Sequence, residues 1–180
     1  MSTHPTAFCV AQVVGLSGAA FLSGKIFSLS TVVVPAIIQA TREDQLPVTT
    51  AAKIWRNLYT RGKAQAPPIA AVTSAAFLYC AWAVRSSPSL APWTPRNSSS
   101  MYCTAAALTL GIVPYTFGFM AGTNDKLMDK AGSKADEKSG VEVEALLSWW
   151  LKLNAGRALL PLVAGLVGLV AATPWPLEMI

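Results

Sequence analysis

Residues 148–170 read SWWLKLNAGRALLPLVAGLVGLV. Past Arg157 the stretch is almost pure hydrocarbon. A helix that crosses a bilayer needs roughly 20 mostly apolar residues, and Leu151–Ala172 supplies about that many. Its entrance nevertheless carries Trp149, Trp150, Asn154 and Arg157. Those residues raise the question of function. The run behind them decides the fold class.

Three more stretches have the same character. The first runs from Phe8 to Ile38, interrupted by Lys25, and is longer than one crossing needs. Its end is therefore expected to tilt, kink near Pro35 or leave the bilayer. With that trimmed, the chain reads as one membrane domain over residues 1–180, with spans at about 8–30, 66–84, 101–121 and 151–172. Composition agrees. Hydrophobic residues make up 53 % of the 180 and charged residues 13 %, where soluble domains carry roughly 25 % charged residues. The mean hydropathy is +0.44. Repeated short alternating segments are missing, which argues against a barrel. The expected fold is all-α: an integral membrane four-helix bundle.

The net charge of +5 says less than its placement. Arg42, Lys53, Arg56, Arg61 and Lys63 lie between the first two spans, and Lys126, Lys130, Lys134, Lys138 and Lys152 between the last two. Only Arg85 and Arg96 occupy the middle loop. The positive-inside rule puts loops one and three in the cytoplasm. Within loop one, TTAAKIWRNLYTRG from Thr49 pairs Ile54 with Leu58 and Trp55 with Tyr59 at helical spacing. This predicts a short interfacial helix before the second span, which Pro67 and Pro68 then open. Ser139–Glu142 fits a capping box and predicts a helix start leading into span four. Ala20 with Gly24, and Ala164 with Gly168 and Ala172, form small-residue faces suited to close helix packing. The N-terminus lacks the basic region of a cleavable signal peptide.

On a helix, Trp150, Asn154, Arg157 and Pro161 fall within about 60° of one another. With the span starting near Leu151, Arg157 lies about 9 Å in. A charge at that depth must snorkel, pair or face a wet cavity. Snorkelling to phosphates, with the tryptophans as interfacial anchors, is the plainer reading. Two further clusters reach the same membrane edge. One is Asn124 and Asp125 after span three, with Asp125 the most plausible carboxylate partner for Arg157. The other is Trp55, Tyr59 and Arg61 before span two. Lys25 lies near that edge too. Their convergence marks a candidate site.

The missing motifs narrow the chemistry. The one histidine, His4, lies outside the spans, and no His/Cys/carboxylate set has metal-ligand spacing. There is no Gly-rich nucleotide motif. Cys9, Cys80 and Cys103 form no CxxC pair, and their odd number argues against a disulfide framework. Cys80 and Cys103 read as small buried hydrophobes. No cofactor, no metal and no nucleic-acid partner is expected.

The stretches GLSGAAFLSG (15–24), WRNLYTRGKAQAPP (55–68), GTNDKLMD (122–129) and WWLKLNAGRALLP (149–161) together resemble a family of small four-span membrane proteins that includes the fungal anthrone oxygenases. The resemblance implies a cofactor-independent monooxygenase that converts an aromatic polyketide anthrone to its anthraquinone with O2 through a substrate enolate. It also implies a eukaryotic setting, and with it the endoplasmic reticulum. The implied partners are a hydrophobic polycyclic substrate, O2 and the bilayer, with a homo-oligomer left open. On that reading Arg157 and Asn154 stabilise an oxyanion, and Trp55, Trp150 and Tyr59 stack on the rings. Asn124, Lys25 and Arg61 help to bind, and Asp125 is the first choice to handle the proton or orient the group that does, with Tyr59 or a water as the alternative if Asp125 pairs with Arg157. A non-catalytic pathway scaffold and a small-molecule transporter are the competing functions. The scaffold would need Arg157 and Asp125 only as a structural ion pair.

Overall fold

A computed structural model of the chain describes residues 4–87, 90, 94–132 and 140–173. Among these residues there are helices and no strands. Helix α1 spans His4–Ser28, α2 Val34–Glu43, α3 Val48–Ser86 and α4 Ser98–Leu110. The short α5, Ile112–Tyr115, is followed by α6, Ala121–Gly132, and α7, Gly140–Ala172. Wider π-helical turns at Leu29–Val33 and Thr116–Met120 join α1 to α2 and α5 to α6. The four resulting continuous segments, Thr6–Glu43, Val48–Ser86, Ser98–Gly132 and Gly140–Ala172, are each long and apolar enough to cross a membrane. The Ser139 cap lies outside the described residues.

The segment expected as a separate interfacial helix is helical, but it runs unbroken into the second span as the first half of α3. Pro67 and Pro68 do not interrupt it. Their rings hold φ near the helical value and forfeit only the bonds to the carbonyls of Lys63 and Ala64, both exposed residues. At 39 residues, α3 is about 58 Å long, well beyond one hydrocarbon core. The turn before it is built by Gln45, whose φ of 53° lets the Leu46 N–H return to the Ala40 carbonyl at 3.1 Å. That is a left-handed helix stop without glycine. Near Pro35, where a kink was expected, α1 instead loosens into the first π turn. Proline removes a donor from the preceding turn.

The chain divides into two compact units. The first comprises Met1–Ser23, Pro68–Ile112 and Leu159–Ile180. Its core is built from small residues around a few rings: Ala19, Ala105, Ala106, Ala164 and Ala171 with Phe77, Cys80 and Tyr102. A Cβ on Gly168 would stand 2.7 Å from Phe77 Cε1, so only glycine lets that helix approach the ring. Hydroxyls tie its helices through backbone oxygens. Ser74 donates to Ala106 O at 3.0 Å, Ser98 to Ala171 O at 3.1 Å and Ser99 to Ala81 O at 3.0 Å. The Ala164–Gly168 face packs inward as expected. Ala20 is exposed and Gly24 has open space around it, so close packing on α1 falls to Gly15, Gly18 and Ala19 instead. Cys80 is buried, whereas Cys103 faces outward. The outward faces carry Phe21, Val72, Trp82, Leu162, Leu166 and Leu169, an apolar surface suited to lipid rather than water.

The second unit comprises Gly24–Pro67 and Val113–Ala158. Its core packs Val34, Ile37 and Ile38 of α2 and Trp55 of α3 with Met120, Leu127, Leu147 and Trp150. Arg42 pairs with Glu144 and so ties α2 to α7. Lys130 pairs with Glu142 at 2.6 Å and ties α6 to α7.

Candidate functional site

The polar face anticipated on α7 is present, and it is buried inside the second unit. Trp150, Asn154 and Arg157 are 2 %, 0 % and 9 % exposed. Successive turns of one helix aim the three side chains the same way. Each meets a different element.

Among the described residues Arg157 is the one buried charge. Its Nη1 donates to Thr116 Oγ1 at 2.9 Å and its Nη2 to Asn154 Oδ1 at 2.8 Å. Both acceptors are neutral. The described residues contain two ion pairs, Arg42–Glu144 and Lys130–Glu142, and neither involves Arg157. Its Nε is buried without any acceptor. The expected Asp125 partner is exposed on α6 instead, because the guanidinium fork is already held by the neutral pair. Taking a cation out of water without an opposite charge is costly. The site therefore holds unmatched positive charge.

Asn154 locks that geometry. Its Nδ2 donates to the Ile26 carbonyl and to Ser30 Oγ, both at 2.8 Å. Both amide hydrogens are thereby used, and Oδ1 serves Arg157. Thr116 and Ser30, the hydroxyl partners of this pair, each lie in one of the two π turns. Such wide turns recur at functional sites because they re-aim side chains and free backbone groups. Gly156 lets the Tyr115 hydroxyl sit against α7, since a Cβ there would stand 2.7 Å from Tyr115 Oη.

A second network adjoins the first. Trp150 Nε1 donates to Asn124 Oδ1 at 2.9 Å, and Asn124 Nδ2 donates to Tyr59 Oη at 3.3 Å. Trp55 stacks on Tyr59 with ring centres 5.2 Å apart and 6° between planes, and meets Trp150 edge-on at 5.9 Å and 87°. Helical i,i+4 spacing on α3 sets the first contact. The Tyr59 hydroxyl is joined through Asn124 to the Trp150 indole.

The structure thus gathers Trp55, Tyr59, Asn124, Trp150, Asn154 and Arg157. Lys25 is held elsewhere, by a hydrogen bond to Gln65, and Arg61 is exposed. Thr116, Ser30 and the Ile26 carbonyl were not anticipated. The available hint was a hydroxyl set inside an otherwise apolar run. Among the described residues no three His, Cys, Asp or Glu side chains stand close enough to hold a metal ion.

Comparison with known proteins follows the same residues. A family profile described as anthrone oxygenase matches residues 55–167, which include most of both networks. The chain is 38 % identical over 174 residues to anthrone oxygenase encC of Aspergillus fumigatus, covering 89 % of this chain and 91 % of that one. It is 30 % identical over 169 residues to anthrone oxygenase AgnL2 of Paecilomyces divaricatus, covering 92 % and 96 %. To the noranthrone monooxygenase of Aspergillus flavus it is 31 % identical over 164 residues, covering 88 % and 71 %. No solved structure matches the chain.

Proposed function

The chain belongs to the anthrone oxygenase family and is an anthrone-oxidising monooxygenase, and we propose that Arg157 drives the reaction by stabilising the substrate's enolate. The observation that carries this reading is the buried guanidinium with neutral partners and a free Nε. A site with unmatched positive charge favours whichever state of the ligand is negative. An anthrone is neutral when it binds and becomes an anion when its central methylene loses a proton. The electrostatic gain therefore appears on the way to the transition state, where it accelerates the reaction.

The overall change is anthrone plus O2 to anthraquinone plus water. The methylene gives up one proton, and the resulting carbanion is delocalised onto the ketone oxygen beside Arg157. That electron-rich anion delivers two electrons to O2 in single steps, a C–O bond forms, and a proton completes a hydroperoxide. Loss of the remaining C–H proton with cleavage of the O–O bond expels water and leaves the second carbonyl. The substrate is the reductant, so the protein supplies binding, a proton path and charge stabilisation.

Asn154, with both amide hydrogens engaged, orients Arg157 rather than touching the oxyanion. Tyr59 receives the methylene proton as it passes its own toward Asp125. The support is its place in the hydrogen-bonded network, where the amide of Asn124, the residue next to Asp125 in the chain, steadies its oxygen. Trp55 and Trp150 supply an aromatic wall for a flat polyketide. Lys25 and Arg61 remain as outer binding groups. The reaction takes place at the cytoplasmic edge of an endoplasmic reticulum bilayer, with loops one and three in the cytoplasm and spans at about 8–30, 66–84, 101–121 and 151–172.

The deciding experiment is O2 uptake and quinone formation by the purified protein in detergent with emodin anthrone, with the uncatalysed oxidation subtracted. Turnover that survives chelation, together with Arg157→Met protein that folds and binds but does not oxidise, is the expected result. Full activity in Arg157→Met rules the reading out.

A further inference from the structure

Among the described residues, two buried side-chain nitrogens have no hydrogen-bond partner: Arg157 Nε and Trp55 Nε1. Both belong to the candidate site. The first is accounted for by the enolate. The second has no role as long as Trp55 is only a stacking surface.

Its neighbour makes the contrast. Trp150 is just as buried, at 2 % exposure, yet its indole N–H is satisfied by Asn124. Trp55, at 1 % exposure, leaves its N–H bare. Rotation offers no remedy, because Tyr59 covers one ring face and Trp150 closes on it edge-on. A fixed, buried donor without an acceptor costs free energy. Such a group persists where something outside the protein provides the acceptor. Phenylalanine would fill most of the same apolar space without that cost.

We infer that the Trp55 indole N–H is a specificity-determining donor that receives a phenolic oxygen of the substrate, so that the site selects anthrones hydroxylated beside the ketone over the bare tricycle. This rests on the anthrone reading above. The two orphan donors then have distinct tasks. Arg157 Nε answers the oxygen that becomes negative, and Trp55 Nε1 answers a ring oxygen that stays put. A site built to meet a hydroxyl discriminates strongly against the analogue that lacks it, because the donor is then left unpaired. The phenol also fixes which edge of a flat, nearly symmetric molecule lies toward Arg157.

The test compares two substrates on two proteins. Quinone formation is followed for wild type and Trp55→Phe in detergent, with dihydroxyanthrone carrying its hydroxyls beside the ketone and with unsubstituted anthrone. Trp55→Phe is expected to lower kcat/KM about tenfold more for the hydroxylated substrate than for the unsubstituted one, so that the wild-type preference disappears. Equal loss on both substrates, or no loss on either, overturns the assignment. A second measurement needs no variant. Wild type should bind dihydroxyanthraquinone about tenfold more tightly than anthraquinone, read by quenching of tryptophan fluorescence, and equal affinities overturn the proposal. If wild type oxidises neither anthrone but keeps the binding preference, and Trp55→Phe loses it, the donor assignment stands while the oxygenase reading falls.

Discussion

The two units solve the problem of polar groups in apolar surroundings in opposite ways. In the unit that contains Phe77 and Tyr102, side chains are small, helices approach closely, and each hydroxyl named above donates to a backbone oxygen. Tyr102 itself accepts from Gln12 at 2.8 Å. Among the described residues no charge is buried there. In the unit that contains Trp55 and Arg157, a cation is buried in the same unit as large rings, two helices widen into π turns, and among the described residues two donors lack acceptors. The first arrangement is what packing alone selects. The second departs from it at several points at once, all around the same side chains. Departures of that kind are expected where a protein gives up stability for a site.

Four substitutions probe the contrast. Arg157→Met should have the largest effect, lowering kcat by about a thousandfold, the size seen when a single oxyanion donor is removed. Its thermal midpoint should hold or rise, because a buried charge without a counter-ion is replaced by an apolar chain of similar length. A fall in midpoint with kcat intact would reverse the assignment and make Arg157 structural. Gly168→Val should behave in the converse manner. Its Cβ would press on Phe77, destabilising the protein by about 1–3 kcal/mol in detergent unfolding, while the folded fraction keeps its kcat.

Thr116→Val comes next. Loss of the hydroxyl that holds Nη1 should lower kcat by about tenfold, equivalent to about 1.4 kcal/mol, with little change in KM, and Thr116→Ser should restore it. Equal values for the valine and serine variants would mean that the hydroxyl does no orienting. Arg42→Ala should have the smallest effect. It removes an ion pair to Glu144 whose arginine side chain is 63 % exposed, and such pairs contribute about 0–1 kcal/mol. Activity should be unchanged, and the stability difference should vanish in high salt.

Most of the helical framework was legible from the chain alone. Long apolar runs have few alternatives to helix when water is absent, since every backbone group must be satisfied within its own segment. The face of α7 was legible for a related reason. Trp150, Asn154 and Arg157 belong to one helix, and the helical period fixes their common direction. Errors arose where the answer depended on another segment. Ala20 and Gly24 have the spacing of a packing face, but their surroundings left them open. Pro67 and Pro68 looked like a helix start, but exposed carbonyls let α3 continue through them. Asp125 was the natural counter-ion for Arg157 by charge, yet the neutral Thr116 and Asn154 took its place.

Sequence by itself determined that this chain is four apolar helical segments with an indole, an amide and a guanidinium on one helical face. Tertiary structure alone decided what those groups meet. It set Thr116 and Ser30, 41 and 124 residues away from their partners, against Arg157 and Asn154, and left Arg157 without a counter-ion. The physical reason lies in the range of the interactions. Periodicity and hydropathy are properties of consecutive residues and are written in their order. Whether a buried donor finds an acceptor depends on which distant backbone turn arrives beside it.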